Sequence, residues 1–456
     1  MLPYTPLHYL LLSPDVTGQD FTALVMTSGN MSEEPIAIDN DDAFKRLSGI
    51  ADYFLVHNRD IYLRSDDSII RSSAGAVQFI RRSRGYIPTP VFLKKKVPPI
   101  LACGAELKNT VCLTKDNNAF LSQHIGDLEN PATYDFFRLT IRRMRRLLDI
   151  EPQVIAFDLH PDYLSTRYAQ EQQEMRKVQV QHHHAHIAGA MAENRIEGPV
   201  IGLSFDGTGY GTDGAIWGGE ILIADLEKFS RAAHFAYVPM PGSSAAIREP
   251  WRMAVSYLCD AFGDDFRDPD LPLFKAIDTP KVEIMVDMVK KRVNSPLTSS
   301  MGRLFDGIAA ISGIRYKVAF EGQAAMELEM LADDHRADIY DYEWITADDY
   351  QILTRPIVRG VVNDTVQGVP PAVISRKFHQ TLIRLFAELS AIIGRENGLS
   401  RVVLSGGCFQ NSLLLAGLIK ALQAQQLDVY THTQVPANDG GISLGQAVVA
   451  AATAGI

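Results

Sequence analysis

A short apolar strand running into a glycine-rich turn occurs repeatedly along this chain, and that recurrence narrows the folds open to it. A strand at residues 100–103 meets a turn containing Gly104. Residues 200–205 lead into Asp206-Gly207-Thr208-Gly209-Tyr210-Gly211, and residues 402–404 lead into Ser405-Gly406-Gly407. Further strands are expected at 110–114 and 119–124, joined as a hairpin by Lys115-Asp-Asn-Asn, and at 215–224. Helices intervene. One is expected over 134–148, where Phe137, Ile141, Met144 and Leu148 trace an apolar stripe and Arg138, Arg142, Arg143, Arg145 and Arg146 form a solvated face; another begins near Asn411. The pattern predicts duplicated α/β lobes facing a cleft.

That layout resembles the nucleotide-binding architecture of actin, sugar kinases and Hsp70. A length of 456 residues suffices for two or three domains with sizeable cores. A boundary is expected at 86–100, where Tyr86-Ile-Pro-Thr-Pro passes into Lys94-Lys95-Lys96-Val-Pro-Pro and reads as a linker. Upstream, apolar runs at 23–26 and 69–71 alternate with a helical stretch at 41–49, the pattern of part of an α/β domain. No apolar run is long enough to span a membrane, and the N-terminus has no charged n-region before an apolar stretch, so a cytoplasmic protein is expected. With 44 basic against 54 acidic residues the net charge is -10, which argues against broad nucleic-acid binding. Cys103, Cys112, Cys259 and Cys408 are scattered and form no metal or disulfide pattern, so they read as buried thiols in a reducing compartment.

The chain has 12 histidines, and four of them, His182, His183, His184 and His186, fall within five residues. His182 and His186 stand four apart. If the small apolar residues that follow continue a helix, both imidazoles share one face and can share a metal ion. A helix start with packed histidines is the alternative. On a helix, His183 lies about 100° around from His182 and is not expected to ligate.

In the Asp206–Gly211 run, glycines let backbone amides approach phosphate oxygens, Thr208 offers a hydroxyl, and Asp206 can orient a metal or its water; a tight hairpin loop is the competing account. Gly406 and Gly407 fit the facing lobe of a cleft that clamps one nucleotide. Asp439, in Asn438-Asp439-Gly440-Gly441 before a helix from about Ser443, can supply a carboxylate or serve a turn. Glu321-Gly322 stands near a helix start, and Arg248, Glu249, Trp251 and Arg252 either hold an anion or form a salt-bridge cluster. Thr27-Ser28-Gly29-Asn30, after the 23–26 run, offers hydroxyls and amides to a phosphate or acyl group; Asp66-Asp67-Ser68 and Arg81-Arg82-Ser83-Arg84 follow.

Together with Cys103-Gly-Ala-Glu-Leu-Lys-Asn, Asp158-Leu-His-Pro-Asp-Tyr, Gly302-Arg-Leu-Phe-Asp and Phe320-Glu-Gly-Gln-Ala-Ala, these phrases resemble the hydrogenase-maturation carbamoyltransferase family HypF over nearly the whole chain. Residues 1–95 look like the second half of its YrdC-like α/β domain. Residues 96–456 look like its threonylcarbamoyltransferase-like domain, a duplicated two-lobed fold of the actin, sugar-kinase and Hsp70 (ASKHA) type. The resemblance implies one divalent metal, iron or zinc, on His182, His186 and Asp439. It implies nucleotide contacts at Asp206, Gly207, Thr208, Gly209, Asp306, Gly322, Gly406, Gly407 and Asn411, and a YrdC-like site at Thr27, Ser28, Asn30 and Arg82.

It also implies the chemistry. ATP and carbamoyl phosphate form a carbamoyl-adenylate, and the carbamoyl group passes to the C-terminal cysteine of a HypE partner, with AMP and pyrophosphate released. The family's acylphosphatase domain, zinc-finger segment and front half of the YrdC-like domain have no counterpart in this sequence, so the chain is expected not to activate carbamoyl phosphate unaided. Pro241-Gly242-Ser243-Ser244 replaces the family's Pro-Gly-Gly-Asp at a cleft contact. A tRNA threonylcarbamoyltransferase-like enzyme and a non-catalytic nucleotide-binding remnant are the alternatives.

Overall fold

The computed structural model describes residues 3, 5–18, 22–31, 34–267, 269–332 and 338–454. The chain divides into two units, Met1–Asp66 and Asp67–Ile456.

In the first unit the described residues form three short helices, Pro6–Leu11, Pro14–Thr17 and Asn40–Leu47, and no strand. Asp39 caps the third, its carboxylate accepting the Asp42 N–H at 3.0 Å. The strand expected at 23–26 is absent. That run has no neighbouring strand to answer its backbone groups, and an unpaired extended segment gains nothing from apolar composition alone. Val25 and Tyr53 are almost fully exposed.

The second unit opens with the hairpin Ile69–Ser73/Ala76–Arg81, whose two loop residues, Ala74 and Gly75, both have positive φ, as a twisted two-residue turn requires. Two sheets follow. The five-stranded sheet orders its strands Val91–Val97, Cys112–Leu121, Ile100–Ala102, Val154–Asp158 and Arg176–Val180; successive neighbours run antiparallel, antiparallel, parallel and parallel. The larger sheet repeats those directions in Phe229–Phe235, Ile216–Ala224, Val200–Tyr210, Arg401–Ser405 and Asp428–Tyr430. This is the duplication that the sequence pattern predicts. The lobes differ at one edge, where the first sheet adds Val91–Val97 beyond the folded-back segment Cys112–Leu121, the added strand preceding the sheet's other strands in the chain.

Local expectations are met in one place and corrected in two. The Lys94–Lys96 stretch is an edge strand, not a linker. The Lys115-Asp-Asn-Asn reversal forms: the segment Cys112–Leu121 folds back on itself there, so that the Ser122 N–H donates to the Val111 carbonyl at 2.8 Å. Asp116 alone turns to φ +54 there, and the segment pairs with Leu101 and Ala102 through one half and with Val91 and Phe92 through the other. Lys115 Nζ caps the Pro131–Leu148 helix by donating to the carbonyls of Leu148 and Asp149. Asp206-Gly-Thr-Gly-Tyr, by contrast, is not a turn but the end of the Val200–Tyr210 strand. The turn proper comes at Gly211–Gly214, where the Gly214 N–H donates to the Gly211 carbonyl.

Between the sheets lie two helices. His182–Glu193 packs on the larger sheet, Ile442–Thr453 packs on the smaller one, and the two pack on each other. All twelve residues of His182–Glu193 are buried, as expected of a helix that is alanine-rich on every face. The helices approach so closely that a Cβ at Gly445 would stand 1.8 Å from the carbonyl oxygen of Ala185. Because the obstacle is backbone, rotamer changes cannot relieve it. Gly445→Ala should therefore destabilise the second unit by about 1–3 kcal/mol, the usual scale of overpacking, read as a lower urea midpoint. An unchanged midpoint would contradict the close helix contact.

Candidate functional site

The side chains expected from the sequence to share a metal are brought together at the first turn of the His182–Glu193 helix. Gln181 is the N-cap, its side-chain oxygen accepting the His184 N–H at 2.9 Å. Regular helix from His182 onward places the Nε2 atoms of His182 and His186 side by side. Asp439 arrives from the turn before Ile442–Thr453, with Oδ1 3.7 Å from both.

A fourth donor belongs to the same cluster. Asp206 Oδ2 lies 3.4 Å from His182 Nε2 and 3.0 Å from His186 Nε2, and the ligand atoms of all four residues lie within 4.8 Å of one another. The sequence reading assigned Asp206 to a phosphate loop, with metal orientation as one of its uses. Its placement follows from the strand irregularity: pairing with Ile216–Ala224 shifts register between Phe205 and Gly209, which releases Asp206 from the ladder. Asp206 Oδ1 accepts the N–H groups of Gly207 (2.8 Å) and Gly407 (3.3 Å), leaving Oδ2 toward the histidines.

Two imidazoles and two carboxylates form a donor set suited to a divalent first-row transition metal. The surrounding shell fits as well. His182 Nδ1 donates to Asp158 Oδ2 at 2.8 Å, and His186 Nδ1 lies 3.4 Å from Ser405 Oγ, so both rings are oriented with Nε2 toward the cluster. Asp158, at the end of its strand, is fully buried. Burial opposes charge throughout the site, but mutual contacts overcome it. The Asp158 carboxylate, helped by the nearby Asp206 and Asp439, holds His182 well above the usual histidine range, and Asp206 does the same more modestly for His186. The two histidines hold Asp206 far below the carboxylate range and Asp439 at about 2.

His183 and His184 are not in the cluster. Burial and the neighbouring charge of His182 push His183 far below the usual range, and its ring faces Trp217 at 6.0 Å. His184 Nε2 is bound to the Asp225 carbonyl at 2.7 Å.

Beside the cluster opens a cavity of about 650 Å³. Asp206, Gly207, Asp306, Gly322, Gly407 and Asn411 line it, and so does Asp439. Thr208, Gly209 and Gly406 lie outside its lining. Gly209 is a packing residue, since a Cβ there would stand 2.4 Å from the His183 ring. Gly406 has φ +107 and would put a Cβ 2.2 Å from the Phe205 carbonyl oxygen, so backbone closeness demands glycine there. Asn411 is committed locally: its Oδ1 caps the Ser412–Ala424 helix and its Nδ2 meets His379 Nε2 at 2.9 Å. Asp306 pairs with Arg303 at 2.9 Å, and burial raises its carboxyl to about 6 despite that cation.

Arg303 and Lys108 also line the cavity; a single cation within a motif carries no sequence signal by itself, so neither is legible as a site residue. Of the YrdC-like set, Thr27 and Ser28 are exposed in the first unit, and Asn30 Nδ2 donates to the carbonyls of Met31 and Glu34. Arg82 is buried in the second unit and donates to the Tyr86 and Thr89 carbonyls. Arg252 pairs with Glu249 and lies 5.2 Å from the Trp251 ring centroid, the salt-bridge cluster rather than an open anion site. Ser243, for which the sequence resemblance implies glycine, takes φ +50, a conformation that glycine adopts without strain.

Two matched α/β lobes around a buried His/His/Asp/Asp cluster and an adjoining cavity define an ASKHA-type domain with a candidate metal-ligand set at its cleft. Family models agree. Residues 202–446 match "Carbamoyltransferase, Kae1-like Domain, second subdomain", residues 95–193 the "HypF Kae1-like domain", and residues 1–83 a Sua5/YciO/YrdC model described as "Telomere recombination". The chain is 42% identical to carbamoyltransferase HypF of Rhizobium leguminosarum bv. viciae, covering 98% of this chain and 58% of that protein. It is 36% identical to a carbamoyltransferase HypF homolog of Cupriavidus necator, covering 77% of this chain and 91% of that protein. A crystal structure of full-length HypF in a phosphate- and nucleotide-bound form superposes with a TM-score of 0.93 at 46% identity, covering 99% of this chain and 70% of that one. HypF of T. kodakarensis gives 0.86 at 34%, covering 94% and 57%. The chain belongs to the HypF carbamoyltransferase family, and it spans 58–60% of the length of the R. leguminosarum HypF and a second C. necator relative, HypF2. Among the described residues no helix is long and apolar enough to cross a membrane.

His182→Ala and His186→Ala should each abolish stoichiometric binding of a divalent transition metal, and Asp206→Asn should weaken it at least tenfold, while His183→Ala retains it. Isothermal titration with Zn²⁺ checks this, and equal losses in all four variants would reject the assignment. Occupancy should also fall as pH falls, because each proton taken by His182 or His186 removes a ligand.

Proposed function

We propose that this chain carries the metal-and-nucleotide half of HypF-type carbamoyl transfer. In this reading the cavity holds a carbamoyl-adenylate made from carbamoyl phosphate and ATP, and the carbamoyl group passes to the C-terminal cysteine of a HypE partner in the cytoplasm. The observation carrying it is the sharing of Asp206 and Asp439 between the ligand cluster and the cavity wall, in a chain of this family.

The residues divide the work. His182, His186, Asp206 and Asp439 would hold one divalent ion, iron or zinc, which when bound supplies Lewis-acid polarisation next to the cavity. Gly207 leaves its wall open: a Cβ there would find only Arg303 Nη2, at 3.8 Å, so backbone amides can approach a phosphate. Lys108 and Arg303 place cations along the same cavity, where they can offset phosphate charge. The nucleotide-bound form of the HypF structural relative supports placing nucleotide here. Thr27, Ser28 and Asn30 of the first unit are proposed as YrdC-like site residues, and Arg82 of the second unit is proposed in the same role on its own.

The acceptor thiol has to come from outside. Burial pushes the thiol of Cys112 up to about 12 and that of Cys259 to about 11. Burial also raises Cys103, and burial together with Asp206 raises Cys408, so none of the four supplies a thiolate at neutral pH. A partner's cysteine sulfur would attack the carbamoyl carbon. The new bond is C–S, the bond broken is from that carbon to the adenylate phosphate oxygen, and AMP leaves with the electron pair.

Two measurements test this. Gly207→Val should lower calorimetric affinity for ATP about tenfold or more by placing a branched side chain on the open wall; unchanged affinity in a folded variant would remove this strand end from the phosphate site. Given carbamoyl-adenylate and HypE, the chain should add a carbamoyl mass to the HypE C-terminal cysteine. His182→Ala, His186→Ala and Asp439→Ala should slow that transfer by about 10²-fold or more, the scale for losing a transition-state stabiliser. Mass spectrometry showing transfer indifferent to all three, or transfer to tRNA in place of HypE, would overturn the reading.

A further inference from the structure

The two imidazoles of the cluster are supported unequally. His182 Nδ1 meets a carboxylate directly, at Asp158. His186 Nδ1 instead faces a hydroxyl, Ser405 Oγ, at 3.4 Å. That hydroxyl lies 2.7 Å from His432 Nε2, and His432 Nδ1 lies against Glu193 Oε1 in an ion pair. Both atoms are buried and make no other contact among the described residues that meets hydrogen-bond geometry, so the close ion pair is the one partnership open to each. Ser405, His432 and the Glu193 side chain are all buried. Glu193 is the last residue of the helix on which His186 stands, so both ends of the chain of contacts are mounted on one rigid element.

Donor and acceptor bookkeeping fixes the direction of every link. Glu193 Oε2 is occupied by the N–H groups of Thr433 (3.2 Å), Gln434 (2.6 Å) and Val435 (3.3 Å), which anchors the carboxylate as an acceptor. An ionised carboxylate only accepts, so His432 must carry its proton on Nδ1 and present a bare Nε2. Ser405 must then donate its hydroxyl proton to that nitrogen, which leaves the Ser405 oxygen to accept from His186 Nδ1–H. His186 thereby keeps its lone pair on Nε2, the atom that faces Asp206 and Asp439.

We propose that Glu193, His432 and Ser405 form a positioning relay that selects the metal-binding tautomer of His186. This rests on the metal reading of the cluster. The relay resembles a Ser–His–Glu hydrolase triad in its links, but Ser405 is fully buried and spends its oxygen on His186, so it acts through the ligand rather than on substrate.

The relay makes an ordering prediction that ordinary packing damage does not. Glu193→Gln can keep the backbone N–H bonds through its amide oxygen while presenting an NH₂ to His432. That donor inverts the chain: His432 Nδ1 becomes the acceptor, Nε2–H donates to Ser405, and Ser405 donates to His186 Nδ1. The His186 proton is driven to Nε2, against ligation. Ser405→Ala merely cuts the chain.

Co²⁺ titration of the full 456-residue chain, followed by its visible d–d absorption, should show Glu193→Gln weakening binding about 10–100-fold, the range for outer-shell losses. Ser405→Ala should weaken it less, and the double variant should match Ser405→Ala alone. Ser405→Thr, which restores a hydroxyl, should bind like the parent. Wild-type Co²⁺ affinity in Glu193→Gln, or losses that multiply in the double variant, would overturn the relay. If Glu193→Gln does not fold, the serine pair decides: equal affinity in Ser405→Ala and Ser405→Thr overturns it. A parent chain that binds no Co²⁺ would instead refute the metal site itself.

Discussion

Complete burial of the His182–Glu193 helix is the constraint from which the rest of the molecule follows. A polar group taken out of water must find a partner inside, and this helix carries four histidines and a glutamate into the contact between two lobes. His182 is answered by Asp158, His184 by a backbone carbonyl, and Glu193 by three backbone N–H groups and His432. His186 is answered by Ser405 on one side and Asp206 on the other. These partners come from both sheets and from the turn before the final helix, so the lobes are joined by the chemistry of one helix as well as by its apolar packing. Disturbing either lobe displaces a partner of the cluster.

The same burial explains the small residues. Gly189 faces the Gly441 carbonyl and Gly445, and Gly445 faces Ala185, between the two histidines of the cluster. Close backbone contact there sets how deeply Asp439, three residues before Ile442–Thr453 begins, reaches toward His182 and His186. Gln446 of that final helix exchanges two hydrogen bonds with the Gly104 backbone, 2.8 and 3.1 Å, tying the helix to the smaller sheet. The position of one carboxylate is thus fixed from both lobes.

What the sequence revealed was periodic or compositionally unusual. The strand–glycine–strand repeats announced two lobes, and the four-residue spacing of His182 and His186 announced a shared face. Both are local signals. Asp206 was legible as a polar residue in a glycine run, but its place among the ligands depends on a register shift against a neighbouring strand, which local composition does not encode. The Lys115-Asp-Asn-Asn reversal was legible for the same local reason, since turn-forming residues stand where the Cys112–Leu121 segment folds back and its two halves take different pairing partners. Ser405, His432 and Glu193 were illegible as a group. They are separated by up to 239 positions in the numbering and meet only through the packing of one helix against two parallel strands. His432, a lone histidine after a short strand, gives no pattern at all.

Charge inside the cavity completes the physical case for a cation. Three of its acids are each faced by a base: Asp306 by Arg303, Glu321 by Lys108, and Glu329 by Arg71. That leaves Asp206 and Asp439, whose only charged-capable neighbours in the cluster are the two imidazoles. Buried carboxylates need a counter-charge. Two protons on the histidines can supply it, which is why both rings are held above their ordinary range when nothing else is present. One divalent ion supplies the same two charges while leaving the imidazoles neutral, so metal uptake should be an exchange for protons at nearly constant site charge. An anionic nucleotide entering this cavity therefore meets Asp206 and Asp439 with their charge already balanced, by two protons or by the ion. What the ion adds is neutral imidazoles and a Lewis acid beside the cavity wall.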